Sequence, residues 1–202
     1  MPRFPVPAGQ ARVEEVILHS RFITTVGPAH SVPEAKAFVG HVRAEFSDAT
    51  HNCFAYLVGP PASSAQVGMS DDGEPAGTAG RPMLAVLSGS GIGDIAAVVT
   101  RYFGGTKLGT GGLVRAYSGG VKAGLASLPR MDKITTVKIA ACGPYAWIIP
   151  MARLLPGFEA AIVAQSYDAE VTWLIQVPEE QHAALVAALL DLSHGQIRLR
   201  DA

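Results

Sequence analysis

The chain has 202 residues, 49% of them hydrophobic and 16% charged, with a net charge of -1. That is enough apolar material for one or two cored domains. The charge balance excludes a protein that coats nucleic acid by bulk charge, but it leaves room for a local basic patch.

Residues 1–10 (MPRFPVPAGQ) hold three prolines and no periodicity, which predicts a loose arm. No basic segment leads into an apolar stretch, and no run approaches the ~18 apolar residues of a membrane span. A soluble cytoplasmic protein is the expectation. Residues 15–26 (EVILHSRFITTV) are rich in β-branched side chains and read as a strand region. Ser31-Val-Pro-Glu34 has capping-box form, and Ala35, Phe38, Val39, Val42 and Phe46 follow at helical spacing, predicting a helix over 32–46. Residues 52–58 (NCFAYLV) read as a buried strand, and 59–67 as a loop. Thr78 is placed to cap a helix through Met83, Leu84, Val86 and Leu87, ended by the glycines at 89, 91 and 93. Residues 94–103 (DIAAVVTRYF) predict a central strand, and 112–128 the next helix. Residues 128–133 (LPRMDK) read as a linker. Beyond it, strands over 134–142, 158–167, 170–177 and 196–200 alternate with helices over 145–155 and 179–192. That β-α-β-β-α-β order is ferredoxin-like, with Pro150 a local objection inside the first helix. The fold class is therefore α+β, in two domains bounded at 11–128 and 134–202.

Two blocks stand out. Residues 70–82 (SDDGEPAGTAGRP) place Asp71, Asp72 and Glu74 within four positions, beside Pro75 and Gly77, which favour a turn. Residues 100–117 (TRYFGGTKLGTGGLVRAY) hold no acid, the bases Arg101, Lys107 and Arg115, and the glycines 104, 105, 109, 111 and 112. Glycine costs backbone entropy, so such density suits positive φ or close approach of another molecule. The order GGTKLGTGG is neither a Walker loop nor a dinucleotide fingerprint. Strand, glycine loop, helix still points backbone amides toward an anion. The alternative is a tight turn whose bases pair with the nearby acids. The acids suit a solvated loop, an internal pair, a partner surface or a magnesium site, with His51 and Thr78 as companions. Tyr102, Phe103 and Tyr117 suit either stacking on RNA bases or a core. Cys53 and Cys142 lack metal-type spacing and read as reduced, buried thiols; Cys53 beside His51 is a weak nucleophile candidate.

The words DATHNCFAY, DDGEPAGTAGRP and RYFGGTKLGTGGLVRAY, in this order, resemble the IMPACT family in its bacterial, YigZ-like branch. The resemblance implies an N-terminal α/β domain like the second domain of a small-subunit ribosomal protein. It implies a ferredoxin-like C-terminal domain as well, the two together resembling the last two domains of elongation factor G. It carries over His51, Asp71, Asp72, Glu74, Thr78, Arg101, Lys107 and Arg115 as site positions. Eukaryotic members of the family restrain a kinase that phosphorylates a translation initiation factor. For this chain the resemblance implies a translation-linked regulatory protein, leaning away from catalysis. Its partner would be the ribosome, RNA or a translation-control protein, bound through residues 70–117 with no cofactor. The alternative is an enzyme acting on a phosphorylated small molecule or nucleotide.

Overall fold

The computed structural model describes residues 3–61 and 66–201, and the chain divides between Lys133 and Ile134 into two compact units. The first unit is built on a five-stranded antiparallel sheet ordered β2-β3-β6-β4-β5. Its strands are β2 (Ala11–Ile17), β3 (Ser20–Pro28), β4 (His51–Leu57), β5 (Val67–Ser70) and β6 (Ile95–Tyr102). Helix α1 (Val32–Glu45) covers one face; α2 (Gly80–Ser88) and α3 (Gly109–Ser127) cover the other. The period of two along β6 decides which residue meets which layer. Ala97 and Val99 join Met83, Leu87, Val121 and Leu125 under α2 and α3, whereas Ala96 and Val98 pack with α1. A strand buried on both faces needs an unbroken apolar run, which is why β6 is legible in the sequence.

Local chemistry sets the elements. The Ser31 hydroxyl accepts from the Glu34 amide (3.3 Å), and the Glu34 carboxylate accepts from the amide of His30 (3.1 Å), so the capping box forms one residue wider than expected. The strand region expected over 15–26 is a hairpin instead. Leu18 and His19 turn the chain with φ of 45° and 66°, a left-handed pair that the flanking strand twist favours but that neither residue type advertises. The expected arm and the expected linker are also corrected: β1 (Arg3–Pro7) and β7 (Arg130–Ile134) pair as a two-stranded sheet. Ala8 donates to the Pro129 carbonyl (2.8 Å) to close it. The loop expected over 59–67 lies partly outside the described residues.

The second unit is a four-stranded antiparallel sheet ordered β11-β8-β10-β9. Its elements run β8 (Thr136–Gly143), α4 (Ile148–Leu154), β9 (Ala161–Tyr167), β10 (Val171–Pro178), α5 (His182–Leu192) and β11 (Arg198–Asp201). This is the split β-α-β arrangement of ferredoxin-like folds, cored by Trp173, Ile139, Met151 and Leu185. Pro150 is the third residue of α4, in the first turn, where its missing N–H leaves no ladder bond unmade. Among the described residues no helix is long and apolar enough to cross a membrane.

Two glycines that look alike in sequence do different things. A Cβ on Gly104 would lie 2.0 Å from the His19 carbonyl, so the β2–β3 turn rests directly on its backbone. Gly119, inside α3, has nothing within 4 Å. Gly104→Ala is expected to lower the thermal midpoint by several degrees. Gly119→Ala should gain about 0.5–1 kcal/mol from lost unfolded-state freedom. Thermal unfolding of both variants checks the pair.

Candidate functional site

Strand register assembles the site. On the face beneath α2 and α3, Phe22, Arg101 and His51 stand in one row across β3, β6 and β4. Residues 71–79 fold back over this row, turning at Asp72 (φ 46°), Gly73 (φ 86°) and Gly77 (φ 77°). The turn drives the Glu74 side chain into the interior. Its Oε1 accepts from Arg101 Nη1 (2.6 Å) and from the Tyr117 hydroxyl (2.7 Å), and its Oε2 lies 4.0 Å from His51 Nε2. Arg101, only 5% exposed, is held between the rings of Phe22 (5.3 Å) and Phe103 (5.4 Å), and its Nη2 donates to Ser20 (3.3 Å). Neither charge is tolerable in such burial without the other. The two blocks do face each other, and their contact is this internal pair.

The remaining acids are engaged elsewhere. Asp71 caps α2: its carboxylate accepts from the amides of Gly77 (2.7 Å), Ala79 (3.0 Å) and Gly80 (2.8 Å). Burial raises its pKa, but the three amides and Arg81 outweigh that and hold it below the usual carboxylate range. Thr78 is not the cap; its hydroxyl donates to the Pro75 carbonyl (2.7 Å) inside the same loop. Asp72 accepts from Arg43 (2.5 Å) and from the Asn52 amide (2.6 Å). His51 Nδ1 lies 2.8 Å from the Asp72 carbonyl. A carbonyl only accepts, so a ring proton sits on Nδ1, and Nε2 is the nitrogen turned toward Glu74. The three acids thus diverge, toward amides, Arg43 and Arg101. Among the described residues no group of three or more His, Cys, Asp and Glu is placed to hold a metal ion.

Cys53 Sγ donates to the Asp71 carbonyl (2.9 Å), and burial above all, with the nearby acids, pushes the thiol up to about 12. That protonated thiol is a poor nucleophile. The Tyr117 hydroxyl is pushed up as well, again chiefly by burial.

In the glycine block, Gly105 and Gly109 have positive φ and open space around them, while Gly111 and Gly112 form the first turn of α3. Lys107 and Arg115 are exposed. Tyr102 is committed, donating to Asp48 (2.7 Å) beneath Arg21; Phe103 is 46% exposed. A cavity of about 350 Å³ lies between the two blocks, lined by Glu74, Arg101, Phe103, Lys107 and Gly109. A larger groove, about 860 Å³, runs between α2 and α3. Pro82, Val86, Val114 and Leu125 are in its lining, together with the exposed bases Arg81, Lys122 and Arg130. Lys122 and Arg130 lie outside both blocks, and Arg81 sits within the acidic one, where the carboxylates draw attention from it. The signal was available: between Glu74 and Asp132 the sequence has one acid, Asp94.

Glu74→Gln is expected to cost about 3–5 kcal/mol, because it leaves the Arg101 charge buried and uncompensated. Urea unfolding measures that loss. Tyr117→Phe, which removes one bond to the same carboxylate, should cost about 1.5–3 kcal/mol. For Asp71, a folded pKa below the unfolded one means its contribution is present above the unfolded pKa and fades as pH falls through the folded value. Urea midpoints measured from neutral pH downward should therefore fall less steeply in Asp71→Asn than in the parent.

Both parts of the chain resemble known domains. Residues 18–125 match the Impact N-terminal domain, and residues 144–196 match a domain of unknown function, DUF1949. The chain is 45% identical over 199 residues to the IMPACT family member YigZ of Escherichia coli K12, covering 98% of each. It is 34% identical over 188 residues to the IMPACT family member YvyE of Bacillus subtilis 168, covering 93% of this chain and 86% of that one. A crystal structure described as that of a hypothetical protein is 44% identical, with a TM-score of 0.72 over 100% of this chain and 98% of the other. With both domains matched in order and relatives aligned nearly end to end, the chain belongs to the IMPACT family, in its YigZ-like branch.

Proposed function

We propose that the chain is a translation-linked binding protein without chemistry of its own, and that its α2–α3 face docks on RNA, as on the ribosome. The observation that carries this reading is a partition of charge. Residues 75–131 contain six bases and a single acid, Asp94. That acid is 1% exposed; it accepts from the Gly59 amide (2.8 Å) and is paired with Lys133. Arg101 is neutralised by Glu74, which leaves Arg81, Lys107, Arg115, Lys122 and Arg130 exposed on or beside α2 and α3. Helices α2 and α3 themselves contain no acid. Arg81 is close enough to Asp71 to act on its carboxylate, which already accepts from three amides. A face of exposed cations with few acids is what a phosphate backbone requires.

The translation link rests on family membership. The enzymatic alternative needs a carboxylate free to move a proton or hold magnesium, and Asp71, Asp72 and Glu74 are each engaged in holding the loop. Arg101, an obvious candidate from sequence, serves the fold first, so its replacement is a poor test of docking.

Arg81→Ala with Lys122→Ala is the informative change, since both side chains are exposed. Fluorescence anisotropy with structured RNA across a salt series should give weaker binding and a log–log salt slope smaller by about 2. Sedimentation of lysate should place the parent protein with ribosomal particles at low salt and release it at high salt. An unchanged slope in a folded variant would sink the reading.

A further inference from the structure

The groove of about 860 Å³ between α2 and α3 has an apolar lining that docking on phosphates does not use. Pro82, Ala85 and Val86 stand on one side of α2, and Val114, Ser118 and Lys122 follow every four positions along α3. Each helix has already turned its other side to the core, with Met83 and Leu87 from α2 and Leu113, Tyr117 and Val121 from α3. Apart from Arg81 near its start and Ser88 at its end, α2 consists of apolar residues and glycine. A helix apolar all round has the composition of one covered on both sides. Yet Ala85 is exposed, Pro82 and Val86 are half-buried, and Val114 across the groove is 37% exposed. The rim carries Arg81, Lys122 and Arg130, the last held by its bond to the Leu125 carbonyl (2.8 Å). Among the described residues no acid lines the groove.

An apolar floor inside a one-signed rim calls for an occupant that brings apolar side chains and carboxylates together. The walls are helices whose interior backbone groups already bond within the helix, so an extended chain laid between them finds no backbone partners. The occupant must satisfy its own amides and carbonyls, as a helix does. We propose that the α2–α3 groove takes an acidic amphipathic helix of a partner protein. Its apolar side chains would lie against Pro82, Val86 and Val114, and its carboxylates on Arg81, Lys122 and Arg130. A second copy of the chain does not have the complementary charge. Helix α1 balances two acids with two bases, α5 carries the single acid Asp191, and α2, α3 and α4 carry none. Groove against groove about a two-fold axis would set bases on bases. The inference goes beyond the RNA reading and bears on how that docking is regulated. Arg81, Lys122 and Arg130 face both occupants, so the acidic helix and RNA exclude each other.

The test immobilises the full chain and selects from a phage-displayed library of random peptides of about 16 residues, four turns or so of helix. Enriched sequences should be net acidic, with apolar residues recurring at i, i+3 or i+4, and i+7. A fluorescent synthetic copy of the most enriched peptide is then followed by anisotropy. Val114→Gln should weaken that peptide about tenfold, the loss expected of one valine contact. It removes no charge, so the salt slope of RNA binding should not change. Arg81→Ala with Lys122→Ala should weaken peptide and RNA together. The three side chains are exposed, so the variants should fold. Unlabelled peptide should displace structured RNA. Enrichment of basic or uncharged peptides, or peptide binding indifferent to Val114→Gln, would overturn the assignment. Self-association of the chain that Val114→Gln abolishes would overturn it too, with a second copy as the occupant. Peptide and RNA bound at once would overturn the exclusion. RNA binding that needs Arg81 and Lys122, without any peptide enriched, would remove the helix site and leave the docking face standing. Peptide binding without RNA binding would do the reverse.

Discussion

The buried pair of Glu74 and Arg101 is the constraint on which the site depends. Arg101 belongs to the central strand, Glu74 to a loop, Tyr117 to α3, and Ser20 and Phe22 to β3, and all of them meet at one carboxylate and one guanidinium. A buried ion pair is weak evidence for net stability, because desolvation offsets most of the attraction. Its effect is on specificity of arrangement: any register of β6, or any path of residues 71–79, that separates the partners leaves a bare charge in the interior. The loop geometry, the seating of α3 and the cavity above Arg101 are therefore one cooperative unit.

Much of the first unit was legible because its signals are local. The Ser31 capping box, the apolar run of β6 and the glycine-dense turn each declare themselves within a few residues. What escaped depends on distant partners. Asp71 caps a helix that starts nine positions later, a span no motif covers, so Thr78, closer in sequence, looked like the cap. The turn at Leu18 and His19 adopts left-handed φ without glycine or asparagine, because the pairing of β2 with β3 holds it there. The proline-rich start and the segment near Arg130 each read as irregular, since either strand alone is short and only their pairing makes a sheet.

The candidate site was legible by composition, and an internal pair between the blocks was among its readings, but which residues make it was not. Acids and bases were both visible, but which of them are free is a question of packing. The fold engages all three acids of residues 70–82 internally and buries only one base of residues 100–117. The exposed charge that remains is one-signed. A neutral chain can thus present a basic face without being a basic protein, which net charge alone would not reveal.

That arrangement bears on the kind of docking the face can support. Five exposed cations can neutralise at most about five phosphates. With counterion release, binding then weakens by roughly two to three decades between 50 and 200 mM salt. An integral component of an RNA particle draws on many more contacts and buried area, whereas a face of this size gives binding that forms and dissolves readily.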